Sequence, residues 1–144
     1  MPSPIAWAEA FAALRRKTST DRLDQLAEHL ELERPTIDRL AVAWASRDDL
    51  VELRAGGEGW AEDFPDGGWA FQEVDGEGEV VGLSFRDDRS RKGFGRGGRR
   101  GLIVPEGLNE ISGLLYVVEG ASDVLACLEM GMAAADVRSR LASA

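Results

Sequence analysis

The amino-acid sequence predicts an α+β protein. Its expected parts are an N-terminal helical bundle, a small antiparallel β region with a basic loop, and an incomplete βαβ unit. Apolar residues recur at helical spacing in the first third of the chain, and strand-like alternation begins after a glycine-rich stretch. Near the end, an apolar run of strand length precedes a helical segment. We place these regions at residues 1–54, 60–108 and 109–144.

Three helices are predicted in the first region. Residues 5–16 and 19–32 carry apolar side chains at helical spacing, and Ser19 is a suitable N-cap for the second helix. Residues 34–44 predict a third helix, with Trp44 facing inward. The stretch "RAGGEGW" that follows is typical of a linker or a wide turn.

A hairpin and a loop are predicted next. Residues 69–74 and 79–86 alternate as strands around the turn "DGEG". Residues 87–98 are rich in glycine and arginine and predict a loop, and "RRGLIVPEG" indicates a further short strand.

The last region has the pattern of a βαβ unit. Residues 113–118, "GLLYVV", are continuously apolar, as in a strand that is buried on both faces. Residues 121–131 are helical, with Gly131 as the expected C-cap, and "MAAADV" can begin another strand.

Charge is unevenly distributed along the chain, whose formal net charge is −9. Residues 48–79 contain eleven acidic side chains and one basic side chain, whereas residues 86–100 contain seven basic and two acidic ones. One basic segment therefore lies in an acidic protein, and that segment is the candidate surface for a polyanion.

Composition excludes several classes of protein. No apolar run approaches the roughly 20 residues of a membrane helix, and the N-terminus lacks the charge order of a secretory signal. One cysteine excludes an internal disulfide, and one cysteine with one histidine argues against a zinc site. We predict a cytoplasmic protein without zinc.

Two carboxylates follow the apolar strand. Glu119 falls at the carboxyl end of that strand, and Asp123 falls in the first turn of the next helix. Gly120 between them allows a tight turn. Together they could bind Mg²⁺ through oxygen, or Asp123 could cap the helix while Glu119 is solvated. Spacing alone leaves both interpretations open.

The stretch "LLYVVEGASDVLACLEMGM" resembles the opening motif of a TOPRIM domain, the module shared by bacterial-type DNA primases, topoisomerases and related nucleases. The pattern is an apolar strand, Glu-Gly, two variable residues, Asp and a helix. The resemblance implies that Glu119 is a catalytic acid/base group. It also implies that Glu119 helps to organise a Mg²⁺ site, with Gly120 and Asp123 as its motif companions.

The preceding segment resembles the part of bacterial and phage DNA primases that comes before TOPRIM. The hairpin and basic loop match a "D-x-x-G-x-V-x-G" turn followed by an arginine and a lysine. The matching residues are Asp75, Gly78, Val80, Gly82, Arg86 and Lys92. The resemblance covers roughly residues 64–140. It implies a role in DNA replication with single-stranded DNA or a DNA–RNA hybrid as partner, and a replicative helicase as a further partner.

The sequence departs from that family in the metal motif. A TOPRIM domain carries a later Asp-x-Asp pair, and after Asp123 only Glu129 and Asp136 are acidic. The match therefore corresponds to the front part of a primase-type nucleotidyltransferase. We expect an inactive fragment or a truncated form that does not synthesise primers by itself.

The basic loop "RDDRSRKGFGRGGRR" predicts sequence-independent, salt-sensitive contacts to phosphates, and Phe94 could stack on a base. Its alternative role is an intramolecular contact with the acidic segment 48–79. The predicted nucleic-acid-binding residues are Arg86, Arg91, Lys92, Arg96, Arg99 and Arg100.

Two other functions remain open at this stage. Residues 25–40 match a helix-turn-helix outline in which Thr36, Asp38 and Arg39 would be exposed on a recognition helix. That outline would make the protein a DNA-binding regulator. The acidic segment could instead dock a basic protein, which would make the chain an interaction module.

Overall fold

A computed structural model of the chain describes residues 4–106, 116–118, 120–130 and 134–136. The predicted class is confirmed, because helices come first and a small antiparallel sheet follows them. Within these ranges, none of the helices combines the length and the apolar character needed to cross a lipid bilayer. In chain order the elements are α1 (Trp7–Lys17), α2 (Thr20–Leu30), α3 (Arg34–Asp38), β1 (Val42–Ser46), α4 (Arg47–Glu52), β2 (Ala55–Gly56), β3 (Gly67–Val74), β4 (Val80–Arg86), β5 (Lys92–Gly95), β6 (Tyr116–Val118), α5 (Ala121–Glu129) and β7 (Ala134–Asp136).

Five strands form an antiparallel sheet in the order β1-β3-β4-β5-β2. The predicted hairpin is confirmed as β3 and β4, and it lies at the centre of this sheet. Phe71 pairs with Ser84, and Ser84 pairs with Phe94. Because side chains on paired positions share a face, these three side chains form one row across the sheet.

The sheet separates two hydrophobic cores. On what we call the rear face, α1 and α4 pack against alternate strand residues such as Leu83 and Phe85. On the front face, α2, α3 and α5 pack against the other set, which includes Trp69 and Phe71. The strand periodicity of two sends neighbouring residues to opposite cores, and this alternation fixes which side chains reach each surface of the sheet.

The predicted third helix is wrong beyond Asp38, where α3 ends. The chain then enters β1, in which Val42 pairs with Phe71 and Trp44 pairs with Trp69. The apolar run in this segment fits a strand buried on both faces as well as it fits a helix, and pairing with β3 decides between them. The predicted region boundaries stay a prediction, and strand β1 of the first region pairs with β3 of the second.

The helix-turn-helix outline is reproduced only in part. Ala27 and Ile37 are buried between the helices, and Glu31 adopts the left-handed conformation that ends α2. However, α3 has only five residues, which make less than one and a half turns. Arg34 on this helix is held by ion pairs with Asp24 and Asp38. A recognition helix of the predicted length is therefore not formed.

Two short elements lie where a linker and a loop were predicted. Ala55 and Gly56 form β2, and residues 92–95 form β5, which pairs with both β2 and β4. The glycines of these segments give little local strand preference, so the neighbouring strands impose the extended conformation. The expectation of irregular structure was wrong at these positions.

The predicted βαβ unit is confirmed. Strands β6 and β7 pair in parallel, and α5 connects them. The predicted beginning of the first strand at residue 113 and the Gly131 cap lie outside the described residues. Helix α5 packs against α3, and the Glu129 carboxylate accepts a hydrogen bond from the Glu33 backbone N–H at 3.2 Å. The unit is thereby joined to the helices of the front face.

Candidate nucleic-acid interface

A cleft of about 540 Å³ opens on the front face over strands β4 and β5. We call it the front cleft. Three cations, three phenylalanines and the first residues of α5 surround it. Its described lining consists of Gly56, Gly57, Phe71, Ser84, Phe85, Arg86, Lys92, Gly93, Phe94, Arg100, Ile103, Gly120, Ala121 and Ser122.

Strand pairing positions the central side chains of this cleft. Arg86 at the end of β4 lies opposite Lys92 at the start of β5. In the next row on the same face, Ser84 lies opposite Phe94. Because side chains on paired strands share a face in alternate rows, two cations lie beside a hydroxyl and an aromatic ring.

Arg86 is half-buried at the edge of the cleft. Its Nη2 donates a hydrogen bond of 2.9 Å to Ser90 Oγ, whereas its buried Nε has no protein acceptor among the described residues. Burial lowers the pKa of the Arg86 guanidinium from its ordinary value, against the charges of Asp87 and Asp123, which raise it. A buried donor without an acceptor costs about 1–3 kcal/mol, so this group favours an incoming acceptor.

The hydroxyl of Ser84 is in a similar position. Ser84 Oγ is buried and has no hydrogen-bond partner within the described part of the chain. Phe71 and Phe94 flank it in the same row of the front face, and both line the cleft. The front cleft therefore combines an apolar floor with two polar groups that can receive a ligand, which is typical of small-molecule and nucleotide sites.

Arg100 forms the opposite rim together with Phe94. Its guanidinium lies 4.4 Å from the centre of the Phe94 ring, and its Nε lies 3.6 Å from Glu73 Oε1. Glu73 is fully buried and accepts a hydrogen bond of 2.8 Å from the Gly101 backbone N–H. The buried carboxylate thus helps to hold the Arg100 guanidinium over the Phe94 ring.

The two sequence motifs meet at the start of α5. Gly120 has a φ of +97°, a conformation that favours glycine, and a Cβ at this position would lie 3.3 Å from Lys92 Nζ. The basic segment and the TOPRIM-like motif are therefore adjacent in space. The first N–H groups of α5 add a partial positive charge to the same cleft.

Glu119, the predicted catalytic residue, lies outside the described residues, so its role stays a prediction. Among the residues that are described, no three His, Cys, Asp or Glu side chains come together to hold a metal ion. Asp123 is exposed in the first turn of α5, and its charge acts on the Arg86 guanidinium. This single carboxylate beside cations does not fit a Mg²⁺ site by itself, and we derive no metal-dependent step from it.

The arginines in the middle of the basic segment form ion pairs with carboxylates of the protein. Arg91 forms ion pairs with the buried Asp87, at 2.6 Å, and with Asp63, and Arg89 also pairs with Asp63. Asp63 belongs to the acidic segment, so the predicted intramolecular contact between the two segments is formed here. Arg91, which we predicted to bind nucleic acid, lies in this cluster and does not line the front cleft.

Two of the predicted nucleic-acid-binding residues lie away from the front cleft. Arg96 and Arg99 line a second cleft, which includes Trp7 from α1 on the rear face. Sequence reasoning missed Ser84, Ile103 and Glu73 as parts of the site. The signal available was the alternation of Ser84 and Arg86 with the apolar Leu83 and Phe85, which assigns the polar pair to one face.

Comparison with known proteins gives a likeness at the level of fold. The chain is similar to a structure of the DnaG primase catalytic domain bound to ssDNA, with a TM-score of 0.62 and 16% identity over 91% of this chain. A structure of the Escherichia coli primase catalytic core gives a TM-score of 0.49 and 19% identity over 78% of this chain. No protein-family model and no curated protein sequence matches the chain.

The chain spans about half the length of these solved structures, 51% of the first and 46% of the second. At these identities the likeness shows the fold alone. The described chain has a primase-like α+β fold, with its front cleft between the antiparallel sheet and the βαβ unit.

Proposed function

We propose that this chain is a primase-like nucleic-acid-binding protein of DNA replication and that it holds single-stranded DNA or a DNA–RNA hybrid in the front cleft. The observation that carries the proposal is the convergence of Arg86, Lys92 and Arg100 with Phe94 and the N-terminus of α5. The likeness to a primase catalytic domain supports it, since that domain was determined with ssDNA bound.

The arrangement suits a single strand because it offers both charge and stacking. Lys92 is exposed, and none of the described carboxylates lies within ion-pair distance of its Nζ, so it can neutralise a phosphate. The Arg100 guanidinium lies over the Phe94 ring, and a base can stack on this pair. Such binding is salt-dependent and tolerant of sequence.

The chemistry that such an enzyme would perform is a separate part of the proposal. We propose Glu119 as its acid/base group in a Mg²⁺-dependent nucleotidyl transfer that needs carboxylates beyond those described. A replicative helicase as partner and a cytoplasmic location stay expectations from the sequence. The binding proposal depends on none of these.

The test is the affinity for a fluorescently labelled single strand of about 20 nucleotides, measured by anisotropy across a salt series. Lys92→Ala should weaken binding about tenfold at low salt and reduce the slope of log K against log salt by about 1. The matched control is Arg89→Ala, which removes an arginine that is paired with Asp63. It should change the affinity by less than about twofold.

Equal losses in the two variants would show that only overall charge matters and would contradict the front cleft as the binding site. Loss of binding on substitution of Thr36 and Arg39, with no effect of Lys92→Ala, would favour the helix-turn-helix regulator. Complete absence of binding at low salt would favour the interaction module.

A further inference from the structure

A second cleft, of about 380 Å³, has a strongly cationic lining. We call it the rear cleft. It lies where α1 begins beside β4 and the turn after β5, and Arg54, Arg96 and Arg99 line it together with Trp7 and Val81. The described residues of this lining include no carboxylate. Three arginines around one concavity make it the second cationic surface of a chain whose net charge is −9.

Main-chain hydrogen bonds hold the three arginines around this opening. The Arg96 N–H donates to the Arg54 carbonyl at 3.1 Å, and the Arg99 N–H donates to the Val81 carbonyl at 2.8 Å. The positions of these residues therefore follow from the pairing of backbone segments. A site built in this way is partly preorganised, which lowers the cost of ordering it around a ligand.

Two charges of the rear cleft, those of Arg96 and Arg99, are available to a ligand. Arg96 and Arg99 are exposed, and neither lies within ion-pair distance of a carboxylate in the part of the chain that the structure describes. Bringing like charges together is unfavourable without a counterion, and guanidinium groups bind phosphate oxygens in a bidentate geometry. Trp7 and Val81 add apolar groups to the lining, and both are anchored by burial in the protein.

We propose that the rear cleft binds a phosphate-bearing ligand on the face of the sheet opposite to the front cleft. Its volume and its apolar groups suit a phosphate that is attached to a sugar or a base better than a bare ion. Two sources of that phosphate share the same chemistry: a free nucleotide, or the backbone of a nucleic-acid strand that continues from the front cleft.

A nucleic-acid strand could pass from the front cleft to the rear cleft at the edge of the sheet. Gly56 of the two-residue edge strand β2 lines the front cleft, and a Cβ there would lie 2.9 Å from the guanidinium nitrogens of Arg96, which lines the rear cleft. Arg96 is thus located where the two clefts approach each other. Arg99 and Arg100 are likewise consecutive, and the first lines the rear cleft while the second lines the front cleft.

The first experiment uses inorganic pyrophosphate as the probe and isothermal titration calorimetry on the whole chain. The double variant Arg96→Ala/Arg99→Ala should weaken pyrophosphate binding at least about tenfold. The control is Arg89→Ala, which removes an exposed arginine that lines neither cleft and should leave this binding within about twofold. Both substituted arginines are exposed, so the thermal midpoint should stay unchanged and a folding defect is separated from a binding defect.

The second experiment distinguishes the two sources. ATP that competes with pyrophosphate, together with unchanged DNA affinity in the double variant, would assign the cleft to a free nucleotide. If a strand of about 20 nucleotides loses affinity in the double variant while one of about 4 nucleotides does not, the cleft binds the continuing backbone. Either result supports the proposal.

The result that overturns the proposal is an intact double variant that binds pyrophosphate, ATP and the long strand as the unchanged chain does. Absence of any pyrophosphate, ATP or long-strand binding by the unchanged chain would overturn it as well. Failure of the proposed front-cleft function would give a different result. Lys92→Ala would then have no effect on DNA binding, while the Arg96→Ala/Arg99→Ala variant would still bind pyrophosphate more weakly.

Discussion

The turn at Asp87–Arg91 and the front cleft both contain basic side chains, but these side chains have different roles in the two places. In the turn, Arg91 is held by the buried carboxylate of Asp87, and Arg89 and Arg91 both reach Asp63. In the cleft, the Arg86 Nε has no acceptor in the part of the chain that the structure describes, and Lys92 Nζ lies near Gly120 at the start of α5. Within fifteen residues of sequence, Arg89 and Arg91 form ion pairs with carboxylates, whereas Lys92 lies within ion-pair distance of none that the structure describes.

The difference shows that the nearest carboxylate, and not the charge of the segment, decides what an arginine does. Asp87 is 1% exposed and accepts hydrogen bonds from the Arg89 and Arg91 backbone N–H groups as well as from the Arg91 side chain. A carboxylate that is satisfied in this way stabilises the fold. Among the described residues, Lys92, Arg96 and Arg99 have no such carboxylate within ion-pair distance, and they line the two clefts, where they are available to bind phosphates.

The largest effect is expected for Asp87→Ala, which removes the carboxylate that pairs with Arg91 in the turn. The variant leaves the half-buried Arg91 without its closest counterion and two backbone donors without an acceptor. It should therefore lose about 3–5 kcal/mol of unfolding free energy. Urea denaturation followed by tryptophan fluorescence measures this loss.

Asp63→Ala is the control for that experiment. Its side chain is 57% exposed, so the ion pairs it makes are weakened by solvent and the loss should stay below about 1 kcal/mol. Similar losses for the two variants would contradict the assignment of Asp87 as the organising carboxylate.

The second prediction concerns Gly82 of β4, over which the backbone of Arg99 crosses; Arg99 and Arg100 line different clefts on either side of this crossing. A Cβ on Gly82 would lie 2.5 Å from the Arg99 carbonyl oxygen, so Gly82→Ala must displace the backbone that positions these arginines. We expect a loss of about 1–3 kcal/mol in unfolding free energy and weaker DNA binding.

Gly76→Ala is the matched control for the crossing, since nothing lies within 4 Å of a Cβ at that turn position. Its unfolding free energy should stay within about 0.5 kcal/mol of the unchanged chain. A Gly82→Ala variant of unchanged stability and affinity would show that the crossing has little influence on either cleft.

The third prediction separates stacking from charge inside the front cleft. Phe94→Leu keeps an apolar side chain but removes the ring, and single-strand affinity should fall about fivefold, which is about 1 kcal/mol. The salt slope should not change, because no cation is removed. Phe64→Leu, which alters a ring beside Trp60 and Arg47, should leave binding as it is. A reduced salt slope in Phe94→Leu would contradict this division of roles.

The smallest effect is expected at a third carboxylate, Asp49. Burial raises the pKa of Asp49, but hydrogen bonds from Lys17 and Ser46 outweigh it and hold the pKa below the ordinary value of 3.8. The carboxylate therefore contributes stability that is complete above that value and is lost as the pH falls through the lower, folded pKa.

Asp49→Asn should accordingly flatten the acidic limb of a stability–pH profile by less than about 1 kcal/mol and leave the DNA affinity unchanged. Thermal unfolding from about pH 3 to about pH 7 measures the effect. Parallel profiles for the variant and the unchanged chain would contradict the role given to this ion pair.

Much of the fold is readable in the sequence where local pattern and tertiary packing agree. The alternation in β3 and β4 and the helical spacing in α1 and α2 predict the elements that form. The prediction fails at Val42–Ser46, where a short apolar run fits two kinds of element, and at β5, where two glycines carry no strand preference. In both cases pairing with a distant strand decides the structure.

The candidate site was predictable to a similar extent. Arg86 and Lys92 followed from the resemblance to primases, and the structure brings both into one cleft with Gly120. The division of Arg96 and Arg99 from Arg86 was not predictable, because it depends on a turn that carries the chain from one face of the sheet to the other. The partners of Arg91 depend on Asp63, which is distant in sequence.

The buried position of Cys127 has a practical consequence. It is the only cysteine of the chain, and its side chain is 8% exposed on α5, the helix whose first residues line the front cleft. A thiol reagent reaches a buried thiol mainly when the structure around it opens, so the labelling rate reports the free energy of local opening around α5. A strand that bridges β5 and α5 should slow the labelling, and the chain thus carries its own kinetic reporter of occupancy.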